Sequence, residues 1–247
     1  MTTSRARTAG DRIDELMEEA SQALIAGRYA DTERLALEAL LQAHQALDYE
    51  RMARVLLPLQ ESRRLRRQQA SDVKKVTRLS SYADLEAYLT GNKTIQRGCY
   101  LIEPPLVGAD GRELRERALS EDVPVFVIVR EPETRLNQWP IVMVGPVTVR
   151  TRVSPPKKVD VAWMLQAGEA LGDHALTQVD PADDAIARVE HLLEMLSTVA
   201  DHEKLHQALI AACLEAHALV LATPKKRGRP RKEDQDDDFP EDDEPII

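Results

Sequence analysis

The last part of the chain, residues 224–247, limits where a fold can form. It has no apolar periodicity and is rich in charged residues and proline. Such a segment buries too little apolar surface to offset the entropy lost on ordering, so we predict that it is disordered. The preceding residues must therefore supply the core. Hydrophobic residues make up 43% of the whole chain and aromatic residues only 4%, and alanine and leucine dominate, which favours helices.

Residues 11–70 show the 3–4 spacing of amphipathic helices. Glycine favours helix ends, so Gly27 is predicted to end the first helix. The second helix is predicted from about Asp31 and the third from about Asp48. Pro58 is predicted to kink the third helix or to end its first part. The predicted buried stripe contains Leu16, Leu24, Leu35, Leu40, Leu56 and Leu59.

One segment of this region carries a resemblance to a known repeat. Ala23-Leu24-Ile25-Ala26-Gly27-Arg28-Tyr29, followed by Ala36 and Ala39-Leu40, resembles the helix-turn-helix of a tetratricopeptide repeat. The resemblance covers residues 13–60 and implies a closely packed helical hairpin that contacts other proteins. A second, similar turn follows after 20 residues, whereas that family repeats after about 34. A plain three-helix bundle is the alternative.

The middle of the chain changes to the pattern of short strands. Ser81 is predicted to cap a short helix that reaches Leu89 and ends at Gly91. Gly108–Gly111 is interpreted as a turn, with a short helix over Leu114–Leu119. Strands are predicted at Cys99–Ile102, Val125–Val129, Ile141–Val144 and Val147–Val153.

Residues 160–222 return to a helical pattern. Asp180-Pro181 predicts a helix start, and a break near Asp201 divides an antiparallel hairpin. The fold class is thus predicted as α+β and mainly helical. The predicted divisions are a disordered 1–10, a helical, tetratricopeptide-like 11–78, a small α/β unit 79–158, C-terminal helices 159–223 and the tail 224–247.

Cellular location is predicted from the cysteines and the apolar runs. Cys99 and Cys213 lie far apart, which is typical of reduced, buried thiols in a cytoplasmic protein. No secretory leader is recognisable, and runs such as Val125–Val129 are too short to span a membrane. Arginine outnumbers lysine 24 to 9, an association that favours a GC-rich bacterial source. The protein would be nucleoid-associated in a bacterium and nuclear in a eukaryote.

The tail contains the most specific pattern of the sequence. Six basic residues surround a glycine and a proline in Lys225-Lys226-Arg227-Gly228-Arg229-Pro230-Arg231-Lys232, and nine acidic residues follow within 233–247. The core Arg227-Gly228-Arg229-Pro230 resembles the AT-hooks of high-mobility-group A proteins, which also carry an acidic tail. The resemblance implies binding to the minor groove of AT-rich double-stranded DNA through all eight residues. A non-specific basic tail and a targeting signal are the alternatives.

Two further patterns in the body admit a functional interpretation. His202-Glu203-Lys204-Leu205-His206 has the His-Glu-x-x-His spacing of zinc peptidases, in which Glu203 would activate water. A third ligand is not evident, because His217 would lie about 16 Å from His206 along a straight helix. The alternative is a solvated polar stripe opposite Leu205–Leu219. The basic stretch Arg63–Arg78 is either a solvated helix end or a second phosphate-contacting patch.

Taken together, the sequence favours a non-enzymatic, DNA-associated protein without a cofactor or metal and without a membrane contact. Its body would mediate protein interaction. The first alternative is an interaction scaffold without specific DNA binding. The second is a zinc hydrolase that uses His202, Glu203 and His206.

Overall fold

The computed structural model describes residues 8–135 and 137–222, which form eight helices and five strands. The predicted α+β, mainly helical fold is confirmed. The predicted disorder of 224–247 and the whole basic element Lys225–Lys232 lie outside the described residues, as does most of 1–10. The elements are α1 (Ala9–Ile25), α2 (Tyr29–Gln45), α3 (Tyr49–Ser71), β1 (Val76–Leu79), α4 (Tyr82–Leu89), β2 (Gly98–Ile102), α5 (Gly108–Ser120), β3 (Val125–Arg130), β4 (Trp139–Val144), β5 (Thr148–Val153), α6 (Val161–Thr177), α7 (Ala185–Thr198) and α8 (Glu203–Ala222).

The first three helices start 20 residues apart and are joined by two turns of the same geometry. Gly27 and Leu47 occupy equivalent positions, with φ of 73° and 53°. In each turn the amide three residues after the helix end donates to a carbonyl of the last helical turn, from Arg28 to Ala23 and from Asp48 to Ala43, at 2.9 Å in both. This left-handed cap satisfies helix-end carbonyls and reverses the chain. The prediction that Gly27 ends α1 is confirmed.

Small residues bring α1, α2 and α3 close together. Ala20, Ala23, Ala36, Ala39 and Ala43 are all 0% exposed. The predicted leucine stripe is buried except for Leu24, which is partly exposed.

Pro58 does not end the first part of α3, because the helix continues through it to Ser71, and the kink stays a prediction. A proline inside a helix removes one hydrogen bond and costs about 3 kcal/mol. Val55, Leu56 and Leu59 around it are fully buried, and their packing offsets that cost.

The sheet has the order β1-β2-β3-β4-β5. The first three strands are parallel, and β4 and β5 add antiparallel neighbours at one edge. The sequence prediction missed β1, which is only four residues long and lies within the basic stretch. Its partner is distant in sequence, since Val76 pairs with Cys99.

Helices cover both faces of the sheet. Cys99, Leu101, Phe126 and Ile128 belong to a large core shared with the N-terminal helices and with α6, α7 and α8. The opposite side chains of the same strands pack with α4 and α5 in a smaller core. As predicted, Cys99 and Cys213 are free, buried thiols. Burial raises their pKa values to about 11 and about 12.

Two local predictions fail at helix starts. Gly108–Gly111 is not a turn but the beginning of α5, where a Cβ on Gly111 would lie 2.3 Å from Val129 Cγ2. These glycines let α5 lie directly on the sheet. The second error concerns α7, which starts at Ala185 rather than at Pro181. The Asp184 carboxylate accepts a hydrogen bond from the Ala187 amide at 2.9 Å and caps this helix.

Candidate functional site

A pocket of about 250 Å³ opens where α2, α3 and α5 meet the β4–β5 turn and the segment before α8. Its charged lining is dominated by arginines from two helices. The charged lining residues are Arg63, Arg66, Arg67, Arg112, Arg115, Glu33, Glu116 and Asp201. Positive charge therefore exceeds negative charge within the pocket, although the chain as a whole is acidic.

Glu33 fixes the deepest arginines. Its carboxylate, only 8% exposed, accepts a hydrogen bond from Arg63 Nε at 2.8 Å and lies 3.6 Å from Arg66 Nε. Arg66 also contacts the Asp122 carboxylate at 2.7 Å. These pairs hold two guanidinium groups rigidly at the pocket wall, because charge-assisted hydrogen bonds fix their geometry.

Arg115 is held in a different way. It donates from Nη2 to the Val144 carbonyl at 2.8 Å and from Nη1 to the Thr198 carbonyl at 3.5 Å. Within residues 8–135 and 137–222, no carboxylate lies at ion-pair distance from it. Burial lowers the pKa of this guanidinium. Arg115 is thus a partly buried cation that neutral carbonyls position at the pocket wall.

Gly145 allows close contact between the two backbone segments whose carbonyls accept hydrogen bonds from Arg115, at Val144 and at Thr198. A Cβ at this position would lie 2.8 Å from Thr198 Cα, which is backbone and cannot easily move aside. The Thr198 hydroxyl donates towards the Val147 carbonyl, at 3.2 Å, and towards the Glu194 carbonyl, at 3.0 Å. The β4–β5 turn therefore packs against the end of α7, and this contact places the acceptors for Arg115.

Asp201 also lines the pocket, where it and Arg115 are near enough to affect each other's charge. Burial raises its pKa, the nearby Glu33 carboxylate raises it further, and Arg63, Arg67 and Arg115 act in the opposite direction. Its carboxyl group consequently holds a proton to higher pH than an exposed aspartate does. A protonated carboxyl can donate a hydrogen bond to an anion, whereas a carboxylate repels it.

The interpretation of Arg63–Arg78 as a solvated helix end is wrong for its two buried arginines, and a contact of this stretch with phosphate stays a prediction. Arg63 and Arg66 are only 6% and 8% exposed, so they are not a solvated helix end. Its three other arginines all contact carboxylates: Arg64 pairs with Glu61, Arg67 with Glu169 and Arg78 with Glu103. Lys74 and Lys75 are exposed.

The histidines of the zinc-peptidase-like string are buried, so the interpretation as a solvated stripe is wrong. His202 and His206 are each 1% exposed. The ring of His202 lies over Gly172, where a Cβ would be 2.1 Å from His202 Cγ. His202 Nε2 lies 3.3 Å from an Asp173 oxygen and 3.4 Å from a Glu169 oxygen, outside hydrogen-bonding alignment. His206 Nδ1 lies 3.0 Å from the His202 carbonyl.

The surroundings of both histidines disfavour their protonated, charged form. Burial lowers the pKa of His202, and burial with help from Arg63 lowers that of His206 to about 3. Glu203 is exposed at the start of α8. In the part of the chain that the structure describes, no three His, Cys, Asp or Glu side chains are grouped to hold a metal ion. The described residues therefore offer no third ligand for the hydrolase interpretation.

Helix α8 precedes the tail and is more apolar than the sequence interpretation recognised. It is the one described helix long and apolar enough to cross a membrane, by length and composition only, and 33% of the stretch is buried within the protein. Leu205, Leu209 and Cys213 lie in the core. Part of its apolar character therefore serves packing against the other helices.

The sequence analysis did not predict the pocket, although the spacing of the arginines on two helices is visible in the sequence. Arg63, Arg66 and Arg67 lie three and four residues apart, and Arg112 and Arg115 lie three apart. This spacing places arginines on one face of each helix. What the sequence does not show is that the two faces meet.

The fold and the site together define a mainly helical α+β protein with an arginine-lined pocket beside its mixed sheet. Comparisons with family models, with curated proteins and with solved structures give no match for this chain.

Proposed function

We propose that the protein is a non-enzymatic, DNA-associated protein that binds the minor groove of AT-rich DNA through Lys225–Lys232. The observation that carries the proposal is the sequence Arg227-Gly228-Arg229-Pro230, with basic residues on both sides. Gly228 has no Cβ and lets the backbone approach the groove floor, while Pro230 fixes its own φ. The two arginines then extend along a narrow groove of enhanced negative potential.

The charges of the body support a local role for the tail. The whole chain carries a net charge of −9, which disfavours attraction of DNA to the protein as a whole. In the described residues, all five arginines of the stretch 63–78 pair with carboxylates. The eight-residue basic element, with six basic residues, is therefore the sequence feature best suited to bind DNA, and it acts over a short range.

The acidic run after the basic element tempers its affinity. Nine acidic residues within 233–247 are tethered next to six basic ones. A short tether gives an effective concentration in the millimolar range, so the run competes with phosphate for the same cations. Removing residues 233–247 should tighten DNA binding, most clearly at low salt, because salt screens this competition.

The body has the second role of mediating protein interaction. The support is the resemblance of residues 13–60 to a tetratricopeptide hairpin, in which small residues bring two helices together. The scaffold alternative keeps this role and assigns the tail only to solubility.

Competition binding with AT-rich and GC-rich duplexes tests the proposal on the full chain. Arg229→Ala should remove most of the AT preference, because its guanidinium lies within the groove. Lys232→Ala is the matched control and should weaken binding to both duplexes alike. With about four to six neutralised phosphates, log K against log salt should have a slope of roughly −4 to −5. Equal affinity for both duplexes, or no effect of Arg229→Ala, would refute the proposal in favour of the scaffold.

A further inference from the structure

We propose that the arginine-lined pocket binds a small organic phosphate, a monoester whose phosphate contacts Arg112 and Arg115 and whose compact apolar part lies against Met143 and Val125. This site is separate from the proposed DNA-binding tail. The pocket lies between helices and the sheet, and all its residues belong to the described body.

The charges in the pocket select an anion. Five arginines line it against three carboxyl groups. Four of the arginines form ion pairs, Arg63 and Arg66 with Glu33, Arg67 with Glu169 and Arg112 with Glu116. Among the described residues Arg115 has no such pair, and Arg112 would exchange its exposed pair with Glu116 for the phosphate. Arginine forks match the geometry of phosphate oxygens and bind them through paired hydrogen bonds. A dianionic group is therefore the counter-ion that this cluster suits best.

Arg115 is the residue that points to a ligand. Its guanidinium is partly buried, and among the described residues it donates hydrogen bonds only to the carbonyls of Val144 and Thr198. Asp201 and Glu116 are near enough to favour its charge, but neither forms an ion pair with it. Withdrawing a cation from water without a hydrogen-bonded counter-charge is unfavourable, and a phosphate at this position would supply one. Asp201 faces Glu33, Arg63, Arg67 and Arg115, and its tendency to stay protonated lessens its repulsion of the anion.

The apolar wall of the pocket and the pocket volume indicate what the non-phosphate part of the ligand is. Leu37, Leu119, Val125, Met143 and Val144 give the pocket an apolar side. Its volume of about 250 Å³ lies below the roughly 300–1,000 Å³ of pockets for drug-sized ligands. A phosphate with one ring or a short apolar chain fits this description, whereas a dinucleotide is too large.

Isothermal titration calorimetry with phenyl phosphate tests the proposal on the full-length protein. Inorganic phosphate reports the anion alone and phenol reports the ring alone. We expect one phenyl phosphate per chain, weaker binding of inorganic phosphate and no heat from phenol. Absence of phenyl phosphate binding overturns the proposal. Equal affinities for phenyl phosphate and inorganic phosphate overturn the apolar part of it.

Variants then locate the site. Arg115→Gln and the more exposed Arg112→Gln should each weaken phenyl phosphate binding roughly tenfold, because each removes a charge-assisted hydrogen bond. Arg152→Gln is the matched control, since Arg152 is an exposed arginine of β5 outside the pocket, and affinity should stay within about twofold. Asp201→Asn places a neutral amide of similar shape where a carboxylate could otherwise form beside the anion, and it should keep or tighten binding.

Further results distinguish loss of ligand binding in the pocket from a folding defect and from an effect of the tail. Arg112→Gln tests the pocket without altering a buried side chain, so a folded Arg112→Gln protein with unchanged affinity overturns the proposal. Equal losses in Arg112→Gln and Arg152→Gln show a non-specific charge effect and also overturn it. Arg229→Ala should leave phenyl phosphate binding unchanged, so this site and the DNA-binding proposal can fail independently.

Discussion

Replacing His206 with leucine should remove much of the acid sensitivity of the fold. His206 is 1% exposed, and burial lowers its pKa from 6.5 to about 3. The folded protein therefore keeps this ring neutral, while the unfolded chain protonates it below pH 6.5. The stability that the neutral ring preserves is present above pH 6.5 and is lost as the pH falls towards 3.

The expected size follows from the proton difference between the two states. At pH 6.5 the unfolded chain binds about half a proton more at this position than the folded protein, and at pH 5 it binds nearly a whole one. A full proton contributes about 1.36 kcal/mol per pH unit, so the stability lost between pH 7 and pH 5 is about 2 kcal/mol. His202 acts in the same direction, since its pKa is also lowered by burial. Asp14 and Glu61 have lowered pKa values and lose their contributions mainly at lower pH.

Urea unfolding at pH 7, 6 and 5 measures this effect, with the free energy of unfolding compared between wild type and His206→Leu. The leucine variant should lose about 2 kcal/mol less than wild type, because it keeps the bulk of the side chain but cannot bind a proton. His217→Leu is the control on the same helix, where the ring is only partly buried. Parallel pH profiles for wild type and His206→Leu would show that the ring is hydrated, and the reasoning would fail.

The remaining predictions concern the caps and the buried carboxylate. Leu47 has φ 53° and is 62% exposed, so Leu47→Gly should stabilise the fold by up to about 1 kcal/mol. Leu41 is similarly exposed but lies inside α2, so the control Leu41→Gly should destabilise the fold by about 1 kcal/mol. If urea unfolding shows that both glycine variants change the free energy of unfolding in the same direction, the prediction is wrong. Glu33→Ala leaves the buried Arg63 without its carboxylate partner, while Arg66 keeps Asp122, and the loss should be about 3–5 kcal/mol. Glu116→Ala breaks the exposed ion pair with Arg112 and should change stability by less than about 1 kcal/mol. If thermal unfolding shows similar losses of stability for the two variants, the Glu33 ion pair is solvent-exposed and the prediction is wrong.

Features with a local cause were predictable from the sequence. The stripe of α1 and α2 repeats every three to four residues, and Gly27 ends α1 through its own backbone preference. Ser81 caps α4 as predicted, accepting a hydrogen bond from the Asp84 amide at 3.1 Å. The segment Val125–Val129 is predicted as a strand because it is rich in β-branched residues, and it forms most of β3.

Features that depend on distant partners were not predictable. Pro58 remains helical only because buried neighbours pack on other helices. Arg63 reads as a solvated or phosphate-binding cation until Glu33, 30 residues earlier, lies beside it on α2. Asp201 marks a helix break in the sequence, and only the folded protein places it near Arg115. The pocket therefore required the tertiary structure.

The equal length of the first helical units limits how this region tolerates changes in length. Each unit from one cap to the next occupies 20 residues and ends in the same left-handed turn. One residue inserted within α2 would rotate everything after it by about 100°, moving later alanines such as Ala43 away from the neighbouring helices. A whole inserted unit would leave that phase unchanged. Length variation in this part of the chain is therefore expected in complete units or within the two turns, rather than in single helical residues.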